Sequence, residues 1–129
     1  MVVDTSALLA VLFMEPEAET FVRAMMAADS RLISAANYLE AAIIVDARRG
    51  PDAGRDLDEF VDRTGLAVEP VTLDQARTAR QAYRTFGRGH HPAGLNFGDC
   101  FAFALAVTSG RPLLFKGTDF ARAGLTPAV

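Results

Sequence analysis

The stretch MVVDTSALLAVLF, residues 1–13, decides the fold of this chain. Its first residues, Met1–Val3, form a short apolar run that predicts a buried strand. The run passes through Asp4-Thr5-Ser6 directly into a helical stretch, Ala7–Phe13. Because a short apolar strand that leads straight into a helix is typical of α/β proteins, the opening predicts a parallel sheet.

The same alternation of strands and helices continues along the chain. The segment Phe86–Leu95, with three glycines, a proline and two histidines, predicts a loop. The other predicted strands are Arg31–Ile33, Leu66–Val71 and Arg111–Phe115, and the other predicted helices are Glu15–Ala28, Ala35–Arg48 behind a Ser34 cap, Asp52–Arg63, one beginning near Thr72, and Phe97–Thr108. We therefore expect one α/β domain over residues 1–129, with a short, mainly parallel central sheet and α-helices on both faces.

Composition excludes several classes of protein. Half of the 129 residues are hydrophobic and 22% are charged, which suits a folded core and excludes a disordered chain. The longest apolar run, Ala7–Met14, is too short to span a bilayer, and no basic stretch precedes it, so neither a membrane span nor a secretory signal is expected. A single cysteine, Cys100, excludes a disulfide framework and favours a cytoplasmic location.

The charges are unevenly distributed. The net charge is −3, and such an acidic balance argues against nucleic acid as a partner. However, residues 1–79 carry fourteen acidic and seven basic side chains, whereas residues 80–129 carry six basic and two acidic ones. Solvated helix faces explain this asymmetry as well as a phosphate-binding surface does, so both interpretations stay open.

Four acidic residues stand where open parallel sheets build their sites. Asp4 ends the first predicted strand, Asp119 follows the fourth, and Asp99 lies in the first turn of the helix after the glycine-rich loop. Glu40 is the only charge between Ser34 and Val45, and helical spacing places it on an apolar face. We expect the Glu40 side chain to point inward or into a cleft.

Each acid also has a purely structural interpretation. Asp4 fits an N-cap, Asp99 fits a capping box with Asn96, and Asp119 fits a turn. Taken together, carboxylates brought close repel one another unless a cation compensates their charge. Oxygen ligands select hard ions such as Mg²⁺ or Mn²⁺, which suit phosphate chemistry.

Four segments of the chain resemble, in order, the four motifs of the PIN-domain ribonucleases, specifically the VapC toxins of bacterial type II toxin–antitoxin pairs. They are Val2-Val3-Asp4-Thr5-Ser6-Ala7-Leu8, Ser34-Ala35-Ala36-Asn37-Tyr38-Leu39-Glu40, Gly94-Leu95-Asn96-Phe97-Gly98-Asp99-Cys100 and Leu113-Leu114-Phe115-Lys116-Gly117-Thr118-Asp119-Phe120. The match covers nearly the whole chain. The chain departs from the family pattern at Thr118 and at Ala123-Gly124, where relatives often carry further acidic or polar residues.

The resemblance implies a PIN-like fold and a Mg²⁺- or Mn²⁺-dependent endoribonuclease. It also implies inhibition by a cognate VapB-type antitoxin, RNA as the substrate, and a homodimer. The metal-binding and catalytic residues would be Asp4, Glu40, Asp99 and Asp119. Supporting contacts would come from the hydroxyls of Thr5 and Ser6 and from Asn96, which would orient Asp99.

Such an enzyme is expected to hydrolyse the RNA phosphodiester with a metal-activated water, leaving 5′-phosphate and 3′-hydroxyl ends. The expected phosphate contacts are Arg84, Arg88 and Lys116, which flank the third and fourth motifs. His90 and His91 are adjacent in a glycine-rich loop and are expected to be exposed rather than catalytic. The four acids account for a charge of −4, so RNA binding is expected to depend on the metal.

Two other classes of protein stay open as alternatives. One is a degenerate PIN fold that binds antitoxin or RNA without activity. The other is a phosphatase-like Mg²⁺ enzyme, which is disfavoured because Ser6 stands where a haloacid-type phosphatase has its second aspartate. An apolar groove between the first two helices is a hypothesis for the site of a partner helix.

Overall fold

A computed structural model describes all 129 residues and contains one four-stranded parallel sheet. The strands are β1 (Val2–Val3), β2 (Arg31–Ser34), β3 (Leu66–Glu69) and β4 (Leu113–Leu114), in the order β3-β2-β1-β4. β1 pairs with β2 and β4, and β2 pairs with β3, all in parallel. The predicted α/β class is confirmed, and β1 lies inside the sheet.

Seven helices connect and cover the strands. They are α1 (Thr5–Leu12), α2 (Ala18–Ala27), α3 (Ala35–Arg49), α4 (Ala53–Thr64), α5 (Leu73–Phe86), α6 (Phe97–Ser109) and α7 (Asp119–Arg122). No helix combines the length and the apolar character needed to cross a membrane.

The sheet is covered on both faces. Neighbouring residues of a strand point to opposite faces, and Val2 and Val3 belong to different hydrophobic clusters. Val3 packs with Leu8 of α1 and Ala41 of α3, whereas Val2 packs with Leu105 of α6. The expected layer of helices on each face is therefore present.

Helix caps account for most of the correctly predicted boundaries. The side chains of Ser34, Thr72 and Asn96 each accept a hydrogen bond from a backbone N–H in the first turn of α3, α5 and α6. Gly110 ends α6 with φ 66°, a left-handed conformation that glycine adopts without strain. The loop between α5 and α6 is also as predicted.

Several boundaries differ from the prediction, among them the end of β3, which lies at Glu69 instead of Val71. α1 begins at Thr5 instead of Ala7, because Asp4 caps it. α2 begins at Ala18, since residues 15–17 form a turn before it. β4 keeps only two residues of the predicted Arg111–Phe115, and the four-residue helix α7 was not predicted.

Candidate functional site

Asp4 lies at the carboxyl end of β1, in the middle of the sheet edge. Its backbone N–H donates to the carbonyl of Leu114 at 2.9 Å, and its side chain is buried. Oδ2 accepts hydrogen bonds from Ser6 N at 2.9 Å and from Ser6 Oγ at 2.6 Å. The helix-cap interpretation is thus correct, and it coexists with a position at the sheet edge.

The environment of Asp4 disfavours its charged form. Burial raises the pKa of Asp4 to about 6, against the pull of the two hydrogen bonds from Ser6. The negative charges of Asp99 and Glu40 raise it further, which places these three carboxyl groups within electrostatic reach of one another. The sequence-predicted acids therefore gather at one edge of the sheet.

Asp99 is held by a capping box at the start of α6. Asn96 N donates to Asp99 Oδ2 at 2.9 Å, and Asp99 N donates to Asn96 Oδ1 at 2.9 Å. Burial raises the pKa of Asp99, the negative charges of Asp119 and Glu40 add to the rise, and the Asn96 hydrogen bond and Arg88 oppose it. Asn96 thus orients Asp99 as expected from its position.

Glu40 lies in a cleft between α3 and α6, of about 290 Å³. Leu39, Ile43, Phe97 and Phe101 are among the residues that line it. A side chain at Gly98 would overlap the Glu40 carboxylate, so the glycine is needed for this close approach of the two helices. The expected cleft position of Glu40 is confirmed.

Asp119 is the outermost of the four acids. It is exposed at the first position of α7, where Thr118 makes no side-chain capping bond. Its charge raises the pKa of Asp99, so it belongs to the same cluster. As the side chains stand, no three His, Cys, Asp or Glu residues are arranged to hold a metal ion.

The two hydroxyl residues after Asp4 make different contacts. Ser6 Oγ donates to Asp4 and accepts from Lys116 N at 3.0 Å, which ties the acid to the loop after β4. Thr5 Oγ1 donates instead to the backbone carbonyl of Asn37 in α3, at 3.2 Å. Ser6 therefore touches the acid directly, and Thr5 fixes α3 against α1.

Sequence reasoning missed Asn37 as part of the site. It is fully buried one helical turn before Glu40, and its Nδ2 donates to the carbonyl of Gly98 at 3.0 Å. This bond joins α3 to the residue that precedes Asp99. The available signal was a second polar side chain on the apolar helix that carries Glu40.

The expected phosphate contacts separate into two groups. Arg84 and Arg88 line a cavity of about 760 Å³ between α5 and α6, together with Asn96. Lys116 instead pairs with Glu15 and lies 3.6 Å from Glu17, and its hydrogen bond to Glu15 raises the pKa of Lys116. Its charge is thus engaged within the protein.

The histidines of the loop contribute to its packing. Gly87 and Leu95 pair at the base of this loop. His91 Nδ1 accepts from Ala93 N at 3.0 Å, and its ring stands edge-on to Phe86 at 5.1 Å. His90 is exposed as expected, whereas His91 is half-buried.

The sequence comparisons identify relatives over the whole fold. Residues 1–125 match the PIN domain family model. Ribonuclease VapC30 of Mycobacterium tuberculosis is 54% identical over 93% of this chain and 92% of its own length. Ribonuclease VapC28 of the same species is 51% identical over 100% of this chain and 98% of its own length. A ribonuclease VapC of Mycolicibacterium smegmatis is 52% identical over 93% of each chain.

Solved structures agree on the fold. VapC20 of M. tuberculosis, a toxin that cleaves the sarcin–ricin loop, superposes with a TM-score of 0.77 at 23% identity, over 97% of this chain and 95% of that one. FitAcB of Neisseria gonorrhoeae superposes with a TM-score of 0.68 at 17% identity, over 98% of this chain and 94% of that one. With the family model and the curated relatives, these findings show that the chain belongs to the PIN-domain family, among the VapC ribonucleases.

Proposed function

We propose that this chain is a Mg²⁺- or Mn²⁺-dependent endoribonuclease, the toxin of a VapBC pair. The observation that carries the proposal is the gathering of four acids at the carboxyl edge of a parallel sheet: Asp4, Glu40, Asp99 and, at the rim, Asp119. Glu40 lies against Gly98, the residue before Asp99, and Ser6 ties Asp4 to the loop that leads to Asp119. Within this cluster, burial and mutual repulsion raise the pKa of both Asp4 and Asp99. Carboxylates in such a place need a cation to stay charged together.

The chemistry of the donor set suits a hard divalent ion, and the carboxylates would have to close around the ion to bind it. The hydrogen bonds to Asp4 and to Asp99 all go to Oδ2, so that Oδ1 of each side chain is free to coordinate. Glu40 accepts no hydrogen bond from the protein and adds further carboxylate oxygens. Only oxygen ligands are offered, which Mg²⁺ and Mn²⁺ prefer.

We propose that the chain's own residues orient the metal-binding carboxylates and contact the RNA backbone. A divalent ion held by Asp4, Glu40 and Asp99 would polarise a water and neutralise charge on the phosphate. Ser6 and Asn96 hold the carboxylates of Asp4 and Asp99 in fixed orientations, which avoids reorganisation when RNA binds. Arg84 and Arg88 offer guanidinium groups to the RNA backbone beside Asp99.

Cleavage of a 5′-labelled single-stranded RNA in Mn²⁺ and in EDTA tests this proposal. We expect metal-dependent cuts with 3′-hydroxyl ends on the labelled product and 5′-phosphate ends on the other. Asp4→Asn and Asp99→Asn each keep an oxygen for the cap and should lower the cleavage rate at least a hundredfold. Asp56→Asn, on the exposed face of α4, is the matched control. Cleavage that survives EDTA, or equal rates in all variants, contradicts the proposal.

A degenerate fold that binds RNA or antitoxin without activity is the second candidate. The exposure of Asp119 and the absence of a capping bond from Thr118 favour it, because a looser fourth position weakens ion binding. Wild-type protein that binds the labelled RNA in Mn²⁺ but leaves it intact for hours would support this candidate instead.

We propose two protein partners as well. A cognate VapB-type antitoxin would place a helix in the groove of about 520 Å³ beside α1 and α2, where Val11, Met14 and Val22 supply apolar contacts.

A second copy would pack on the exposed side chains of Leu39 and Ile43. Sedimentation equilibrium tests the second copy, since Ile43→Asp should yield a monomer if this surface forms the homodimer, whereas an unchanged mass would exclude it.

A further inference from the structure

The cavity between α5 and α6 is built differently from the acidic site beside it. Three of its lining residues are the arginines Arg80, Arg84 and Arg88, and no acidic residue lines it. The volume of about 760 Å³ lies within the range of roughly 300–1,000 Å³ typical of small-ligand sites. It therefore has the size and the charge to take an anionic ligand of nucleotide dimensions.

The three arginines lack partners within the protein. None of them forms an ion pair or donates a side-chain hydrogen bond, whereas the nearby Arg77 pairs with Asp74 at 3.8 Å. Arg80 and Arg84 are one helical turn apart on α5, and like charges at this spacing repel each other. Guanidinium groups in this arrangement are suited to paired contacts with phosphate oxygens.

The cavity also carries an unusually exposed aromatic ring. Phe97 is 78% exposed, and its ring meets Phe101 nearly at a right angle with 4.9 Å between the centroids. Phe97 follows Asn96, which forms the capping box with Asp99, and it also lines the cleft that holds Glu40, so the ring lies between the cavity and the acidic site. Exposed aromatic rings beside arginines are the surfaces on which unpaired bases stack.

We propose that this cavity binds one unpaired nucleotide next to the scissile phosphate, with its base stacked on Phe97 and its backbone held by Arg80, Arg84 and Arg88. The proposal rests on the proposed function and adds to it a subsite for one nucleotide beside the cleaved bond. Arg88 and Asn96 couple the two sites, since both line the cavity and both act on Asp99. A second copy that packed this cavity against its own equivalent would bring six arginines together, so a symmetric contact between copies is disfavoured here.

Binding of RNA to a cleavage-impaired protein tests the nucleotide site separately from catalysis. On an Asp4→Asn background in EDTA, where cleavage is blocked and the cavity under test contains no acidic ligand, the anisotropy of a labelled single-stranded RNA octamer reports the Kd, with the same octamer in a duplex for comparison. Phe97→Ala should weaken octamer binding about 5- to 30-fold, and Phe97→Trp should restore it. Duplex binding should be weaker and should respond little to Phe97→Ala.

Arginine variants give the second readout. Arg84→Gln and Arg88→Gln should each lower the slope of log Kd against log salt by about one, as expected for a lost phosphate contact. Arg55→Gln, an exposed arginine of α4, should leave the slope unchanged. Sedimentation of the same variants shows whether the cavity instead forms a contact between two copies of the chain.

Unchanged octamer affinity in Phe97→Ala overturns the proposal, as does a change of oligomeric mass that accounts for the loss. If the wild type binds RNA in this way but never cleaves it, the nucleotide site stands and the proposed nuclease fails. If it cleaves RNA while Phe97 and the arginines are dispensable for binding, the nuclease stands and the nucleotide site fails.

Discussion

At the scale of single residues, Asp4 serves two demands that oppose each other. As the N-cap of α1 it accepts two hydrogen bonds from Ser6, which favour the carboxylate. Its burial next to Asp99 and Glu40 disfavours the carboxylate, and the net result is a pKa of about 6. A carboxyl pKa raised by burial and by neighbouring charges is typical of functional sites.

The raised pKa of Asp4 predicts that its charge destabilises the ion-free fold. In the unfolded chain the pKa is 3.8, so between about pH 4 and 6 the unfolded state releases its proton first, and stability falls as the pH rises. The free-energy penalty for charging Asp4 in the fold is absent below about pH 4, and above about pH 6 it is complete, at about 2–3 kcal/mol. Asp4→Asn should therefore stabilise the protein by this order at pH 7.5 in EDTA, and hardly at all at pH 4.

Urea unfolding at the two pH values measures this difference. Asp56→Asn, whose carboxylate is exposed, controls for the loss of one negative charge. An equal gain for Asp4→Asn at pH 4 and at pH 7.5 would mean that the carboxylate is not penalised in the fold.

Asn37 joins the two helices that carry Glu40 and Asp99 through one buried hydrogen bond to Gly98. Asn37→Ala leaves that carbonyl without its donor and should cost about 1–3 kcal/mol of unfolding free energy. Asn37→Asp should cost more at pH 7.5 than at pH 5, because it adds a buried carboxylate near Glu40. Urea unfolding measures both, and an Asp variant as stable as the Ala variant at both pH values would refute this account.

At the scale of elements, α1 ends on an unusual residue. Met14 follows the helix with φ 53°, a left-handed conformation that costs a non-glycine residue about 1–2 kcal/mol, and its side chain is 85% exposed. Met14→Gly should therefore raise the melting temperature by roughly 3–5 °C. The same substitution at Met26, an exposed residue in the last turn of α2, should lower it, because glycine in a right-handed helical position is less favourable by up to about 1 kcal/mol.

Differential scanning calorimetry of the two variants tests this contrast. Equal destabilisation by Met14→Gly and Met26→Gly would show that the left-handed turn is not strained.

The sequence predicts elements wherever a local signal defines them. Caps at Ser34, Thr72 and Asn96 set three helix starts, because a cap depends on residues within one turn. β4 is shorter than its apolar run because only Leu113 and Leu114 meet a partner strand, and α7 has four residues without a capping signal. Boundaries that depend on tertiary contacts are the ones the sequence does not show.

The same distinction applies to the site. Asp4 and Asp119 were predicted because the ends of parallel strands are recognisable in sequence, and Asp99 was predicted from its place in the first turn of a capped helix. The link between Asn37 and Gly98 spans 61 positions, and the cavity beside Phe97 depends on how α5 lies against α6. No periodicity encodes such contacts, so these parts of the site emerge only from the folded chain.

At the scale of the whole molecule, the acidic site exists only when distant parts of the chain meet. Residues 4, 40, 99 and 119 come together through four different elements or their ends, so an ion bound there would bind the folded state alone. We expect Mn²⁺ to stabilise the wild type at pH 7.5 by about 2.7 kcal/mol when its concentration is 100 times the Kd.

Melting curves of the wild type and of Asp4→Asn, each with EDTA and with Mn²⁺, complete this argument. The variant should melt higher than the wild type in EDTA, because it lacks the penalised carboxylate. It should gain little from Mn²⁺, because it also lacks a ligand, so the difference between the two proteins shrinks or changes sign when the ion is added. If Mn²⁺ raised the melting temperature equally in both proteins, the ion would bind away from Asp4, and the acids at this sheet edge would not form its site.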